Sequence, residues 1–154
     1  MKISLTIILI FLAATMSSAS DGDIKFVNPE GLSKPTGYTH VVVTSGQRTI
    51  YFAGQVALNA KGEIVGKDDL KTQTEQVFAN LKTALAAAGC TFANVVKTTT
   101  FIVNYKPDMV PGIREIRSKY FSTENPPAST LVGVQSLARE DFLIEIEAIA
   151  VIPK

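Results

Sequence analysis

The sequence predicts an α+β domain in which one mixed β-sheet carries two helices on a single face. Three observations carry this. Two segments, Asp69 to Ala88 and the residues after Asp108, repeat apolar side chains at helical spacing. Six short runs hold β-branched and aromatic residues bounded by turn signals. Their order along the chain is β-β-β-α-β-α-β-β, which gives a largely antiparallel sheet with both helices packed on one side.

Residues 1–19 stand apart from that domain. Met1-Lys2 is a short positive start, Ile3 to Ala14 is apolar apart from Ser4 and Thr6, and Ser17-Ser18-Ala19 offers the small residues of a cleavage site. This is the three-part pattern of a secretory signal peptide, and it implies an exported, periplasmic or secreted protein. An uncleaved N-terminal anchor is the alternative reading, but the apolar run falls short of the ~20 residues of a comfortable span. No cysteine follows the run to carry a lipid. The expected organisation is therefore a signal peptide over 1–19 and a single domain over 20–154, with no membrane anchor once the leader is removed.

In chain order, Ile24–Val27 reads as a short edge strand. His40–Thr44 and Thr49–Ala53 are strands separated by Ser45-Gly46-Gln47-Arg48, a spacing that predicts a hairpin. Asn59-Ala60-Lys61-Gly62 is a turn signal, with Gly66 closing the loop. In the first helix Leu70, Thr74, Val77, Phe78, Leu81, Ala84, Leu85 and Ala88 share a face, Asp68 or Asp69 supplies the N-cap, and Gly89 ends it. Val95–Val103 is a strand. The second helix places Met109, Ile113, Ile116 and Tyr120 in one stripe, and Asn125-Pro126-Pro127 stops any continuation. Ser129–Val134 and Phe142–Val151 are the last two strands.

The last strand has two apolar faces. Ile144, Ile146, Ala148 and Ala150 share one, which suits packing against helices. Leu143, Glu145, Glu147, Ile149 and Val151 share the other, apolar at its ends and acidic in the middle. Two helices cover one sheet face only, so the second needs a cover from outside the chain. A homo-oligomer packing sheet faces together supplies it. Glu145 and Glu147 would then lie near a subunit boundary. Most strand glutamates are solvated or paired with a basic residue. A partly buried carboxylate among apolar neighbours can instead orient water or accept a hydrogen bond.

Composition narrows the function classes. Beyond residue 19 the chain has fourteen basic residues, the fifteen of the whole chain less Lys2, and all fourteen acidic ones. That balance, with no adjacent basic residues and no Trp, argues against nucleic acid as a partner. The single Cys90 follows Ala86-Ala87-Ala88-Gly89 with nothing basic beside it, and reads as a small buried apolar residue rather than a nucleophile. His40 is the only histidine, so neither a histidine metal cluster nor a Ser-His pair is evident.

Several segments together resemble the Rid family, the YjgF-type reactive-intermediate deaminases also labelled endoribonuclease L-PSP. They are Ala53-Gly54-Gln55, Val96-Lys97-Thr98-Thr99-Thr100-Phe101, Tyr120-Phe121, Pro127-Ala128-Ser129-Thr130 and Glu145-Ile146-Glu147-Ala148-Ile149-Ala150. The resemblance runs from about Phe26 to Ile152. It implies a chorismate-mutase-like fold and a homotrimer whose sheets pack into a central barrel, with small-molecule clefts between subunits. It also implies hydrolysis of imines and enamines to carbonyl compounds and ammonia, without metal or organic cofactor.

Carried over residue by residue, the resemblance assigns Glu145 as the water-orienting catalytic carboxylate. It places Tyr38, Gly54, Lys106, Ser129, Thr130 and Leu131 in the ligand cleft. Gly54 lets the backbone approach the ligand, Thr130 contacts its carboxylate, and the Leu131 carbonyl helps place the water. Ala53 stands where the family has serine, and Lys106 where it has a cleft asparagine. The largest departure is Ser129, where active deaminases carry an arginine that grips the substrate carboxylate through two parallel hydrogen bonds. Serine forfeits about 1.5–3 kcal/mol of such a contact. Two readings follow. One is an imine/enamine hydrolase with altered substrate range, and the other is a non-catalytic small-molecule binder using the same cleft. A ribonuclease, suggested by the family label alone, fits poorly with the charge balance, the lone histidine and the exported location.

Overall fold

The protein is described here by a computed structural model covering residues 24–28, 30, 34–35 and 38–153. The expected leader over 1–19 lies outside these residues, as does the Thr36-Gly37 step before Tyr38. The strands are β1 (Ile24–Val27), β2 (Val41–Thr44), β3 (Gln47–Gln55), β4 (Val95–Val103), β5 (Ala128–Val134) and β6 (Ile144–Pro153). The helices are α1 (Leu70–Ala87) and α2 (Val110–Arg117).

Both ends of α1 follow from single residues. Asp69 is the N-cap, its carboxylate accepting from the Lys71 and Thr72 backbone N–H groups at 3.0 and 3.2 Å. Gly89, at φ 71°, ends the helix. Its N–H donates to Ala86 O and the Cys90 N–H donates back to Leu85 O at 2.8 Å, the paired bonds of a Schellman ending. That turn folds Cys90 into the core, where it is buried. The second helix is shorter than its apolar stripe. A 3₁₀ turn at Pro107–Met109 leads into α2. Past Arg117, the Lys119 and Tyr120 N–H groups donate three residues back. These turns still carry Tyr120 onto Phe78, ring centroids 4.8 Å apart and nearly parallel.

The central sheet is four-stranded and mixed, in the order β3-β6-β4-β5. β6 is antiparallel to both its neighbours, while β4 and β5 are parallel and joined through α2. β1 and β2 form a separate antiparallel pair. The hairpin expected between β2 and β3 is not formed among the described residues. β3 begins at Gln47 and pairs from there with the long β6 (Gln47↔Pro153). Ser45 and Gly46, the latter at φ 65°, carry the chain from one ladder to the other.

The two faces of β6 differ as its alternation requires. Ile144, Ile146, Ala148 and Ala150 are buried beneath Val77, Phe78, Leu81 and Leu85 of α1 and Ile113 and Ile116 of α2. On the other face Glu145 and Ile149 are half-buried and Glu147 is exposed. Tyr51, opposite Ile149 on β3, is 76% exposed. Val151 at one end of this face is buried, but its middle, from Glu145 to Ile149 and Tyr51, is left open by the described residues.

Candidate functional site

Glu145 is positioned by two features of the sheet. β3 carries an extra residue at Ala53-Gly54, because Phe52 pairs with Ala148 but Gln55 with Ile146. Such a bulge bends the strand and re-aims its neighbours. At the bulge the Glu145 side chain lies directly against the Gly54 backbone. A Cβ built on Gly54 would stand 2.6 Å from Glu145 Cδ and closer still to Oε1. Only glycine leaves that space. Gln73, fully buried on α1, fixes the approach to β6: its Oε1 accepts from the Leu143 N–H at 2.9 Å, and its Nε2 donates to Asp141 O at 2.8 Å. Gln73 has no place in the apolar stripe from which α1 is read, and its role rests on partners 68 and 70 residues away.

Ser129, Leu131 and Tyr38 meet elsewhere, around a cavity of about 330 Å³ between α2 and β5. Thr39 seats Tyr38 there by donating its Oγ1–H to Pro126 O at 2.6 Å, just before β5. Tyr105 forms another wall, packed so close to Gly133 that a Cβ there would lie 2.8 Å from its own. The remaining walls include Arg114 and Arg117. These two cations, three residues apart on α2, share one side of the helix. Burial first, and then repulsion from Arg114, holds the Arg117 guanidinium below its ordinary pKa. It stays charged near neutral pH. Their helical spacing is visible in the sequence, but only the fold brings them to the cavity that Ser129 lines.

Thr130 points to the opposite side of the sheet from Ser129, since adjacent strand residues alternate. Its Oγ1 accepts from Lys97 Nζ, which also donates to Thr98 O at 3.0 Å. Burial lowers the Lys97 pKa, and the charge of Glu147 partly opposes that. Lys106 is exposed at the start of the Pro107–Met109 turn and lines neither Ser129's cavity nor the Gly54 surface. The cations beside Ser129 are Arg114 and Arg117 instead. Among the described residues no three His, Cys, Asp or Glu side chains are grouped to hold a metal ion.

The expected site residues thus fall into two groups on opposite faces of one chain's sheet. Gly54 and Glu145 lie on the uncovered sheet face. Ser129 lies on the helix-covered side, where it accepts from Thr98 Oγ1 at 3.3 Å. Ser129 pairs through Thr98 with Ala148, whereas Glu145 pairs with Phe101, so the two are two strands apart and on opposite faces.

The family model described as Endoribonuclease L-PSP matches residues 31–152. The chain is similar to a solved structure described as a protein of unknown function of the conserved Rid protein family, YyfB from Yersinia pestis. The TM-score is 0.78 and the identity 44%, over 84% of this chain and 98% of that one. It is also 33% identical to a RutC family protein of Synechocystis, over 84% of this chain and 98% of the relative. A relative from Dermatophagoides farinae, named 2-iminobutanoate/2-iminopropanoate deaminase, is 32% identical over 68% of this chain and 78% of its own length.

Proposed function

This chain belongs to the endoribonuclease L-PSP family, that of the Rid (YjgF-type) proteins, and from that premise we propose that it is an exported hydrolase of imines and enamines. Its active site is completed between copies of the chain in a homotrimer. The observation that carries this is the seat of Glu145 against Gly54, where substitution of any side chain at residue 54 would expel the carboxylate. Glu145 is half-buried, so its carboxylate stays within reach of water on the open face. The relative named as an imine deaminase supports the reaction class. The apolar leader over 1–19 supports export.

The chemistry needs only water. An enamine first takes a proton at carbon and becomes an iminium ion. Glu145 orients a water and accepts its proton as the oxygen bonds to the C=N carbon. Glu145 passes that proton to the nitrogen of the resulting carbinolamine, and as the C–N bond breaks the hydroxyl proton goes to the departing ammonia, which leaves as ammonium beside the carbonyl product. Glu145 ends as it began. A second copy supplies the cavity around Ser129, because in one chain the two groups of site residues face opposite ways. The same packing covers Tyr51, Phe101 and Ile149.

A second reading is a non-catalytic binder on the same trimer, favoured by Ala53 and Ser129, which lack the family's hydroxyl and guanidinium. The test supplies 2-aminoacrylate and a panel of imino acids generated in situ and follows ammonia release. The hydrolase reading expects release above buffer with at least one substrate and none with Glu145→Gln. Buffer-level release with all of them removes it. Metabolite thermal shifts that depend on Glu145 would then support the binder.

A further inference from the structure

We infer that Arg114 and Arg117, on α2, grip the acidic group of a carboxylate-bearing ligand in this protein, in place of a cation at residue 129. The inference rests on the proposed cleft but not on its chemistry. Both arginines line the cavity that Ser129 and Tyr38 share, and both also border the neighbouring one against Phe121. Ser129 brings no charge there; its Oγ accepts from Thr98 Oγ1 at 3.3 Å and keeps only its own O–H to offer a ligand. Two arginines and no acidic residue are among the walls of the cavity.

The two arginines divide the work. Arg117 is the fixed one. It is partly buried, and its Cζ lies 4.7 Å from the centre of the Phe121 ring, which orients the guanidinium plane. Arg114 is exposed, and its side chain makes no hydrogen bond or ion pair among the described residues. It sits close enough to Arg117 to repel it. An anion between them relieves that repulsion and receives charge-assisted hydrogen bonds. α2 links β4 to β5 and so overhangs the strand bearing Ser129. A planar carboxylate can therefore be held from the helix side while its reacting carbon points out of the cavity. The walls of Tyr38, Tyr105 and Leu131 suit a short apolar substituent.

The test titrates the folded protein with pyruvate and with the uncharged pyruvamide, following binding by calorimetry. Pyruvate should bind about ten- to a hundredfold more tightly. Arg114→Gln, at an exposed position, should remove most of that preference, and Arg117→Lys should weaken it with the circular dichroism unchanged. Lys82→Gln, at an exposed position on α1 outside the cavity, should leave pyruvate affinity as it is. The inference is overturned if pyruvate does not bind or binds no better than pyruvamide. It is equally overturned if both arginine variants keep wild-type affinity. Arg114-dependent pyruvate binding without ammonia release from any imine would uphold the anion site and remove the hydrolase reading. Ammonia release whose KM is indifferent to Arg114→Gln would do the reverse.

Discussion

The Glu145 carboxylate fills the space that a side chain on Gly54 would need: a Cβ at residue 54 would sit 2.7 Å from Glu145 Cγ and 2.6 Å from Cδ. The glycine and the glutamate, 91 positions apart in sequence, are therefore one structural unit. Gly54→Ala should displace the carboxylate while leaving most of the core intact. A shift of about 1 Å in a reacting group can cost on the order of a hundredfold in rate. Ammonia release by Gly54→Ala should fall by that order, with far-UV circular dichroism close to wild type.

Gln73 acts on the same unit from behind. Replacement by leucine keeps its bulk but strands the Leu143 N–H and the Asp141 carbonyl, and leaves the Gly66 carbonyl with the Asp69 N–H as its remaining donor. A buried polar group without a partner costs about 1–3 kcal/mol. Urea denaturation of Gln73→Leu should show a loss of at least that size. The turnover number should also fall, because Leu143 lies two residues before Glu145. A loss of stability with an unchanged turnover number would confine Gln73 to a structural role.

Asp69 links stability to acid. Its carboxyl lies below the usual carboxylate range, chiefly because the Thr72 hydroxyl donates to it at 2.6 Å, with the Thr72 backbone N–H adding to this. A carboxyl with a depressed folded-state pKa contributes stability that is present above its unfolded value, about 3.9, and is lost as pH falls through the folded value. Asp69→Ala should therefore melt below wild type at pH 7. The gap between the two melting temperatures should narrow as the pH is lowered beneath 4.

The uncovered sheet face gives a third kind of prediction. Tyr51 stands on it opposite Ile149, with Lys97 on the far side of Ile149. Tyr51→Glu adds a charge to a surface that the proposal buries between copies. Its sedimentation should show a larger fraction of single chains than wild type at equal concentration, and its ammonia release should fall in step.

Much of this was legible in the sequence. The stripe from Leu70 to Leu85, the Asp69 cap and the Gly89 stop specify α1 by local rules alone, and the alternation of β6 separates its covered face from its open one. The β2–β3 relationship was not legible, because a four-residue turn signal cannot say that β3 has a longer partner about a hundred residues away. The cleft was half legible. Resemblance pointed to Glu145, Gly54, Ser129 and Lys106, of which Lys106 lines neither Ser129's cavity nor the Gly54 surface. Arg114 and Arg117 read as the polar side of an ordinary helix until α2 is laid over β5. Gln73 was hidden for the same reason, since a polar residue on an apolar face gains meaning only from distant backbone partners.

The central claim is that one chain holds two half-sites and that a second copy joins them. The most direct measurement passes the protein lacking residues 1–19 through size exclusion with light scattering and assays every fraction for ammonia release from in situ imines. The account predicts that activity travels with a species three times the mass of the chain. Activity travelling with the single-chain mass would contradict it.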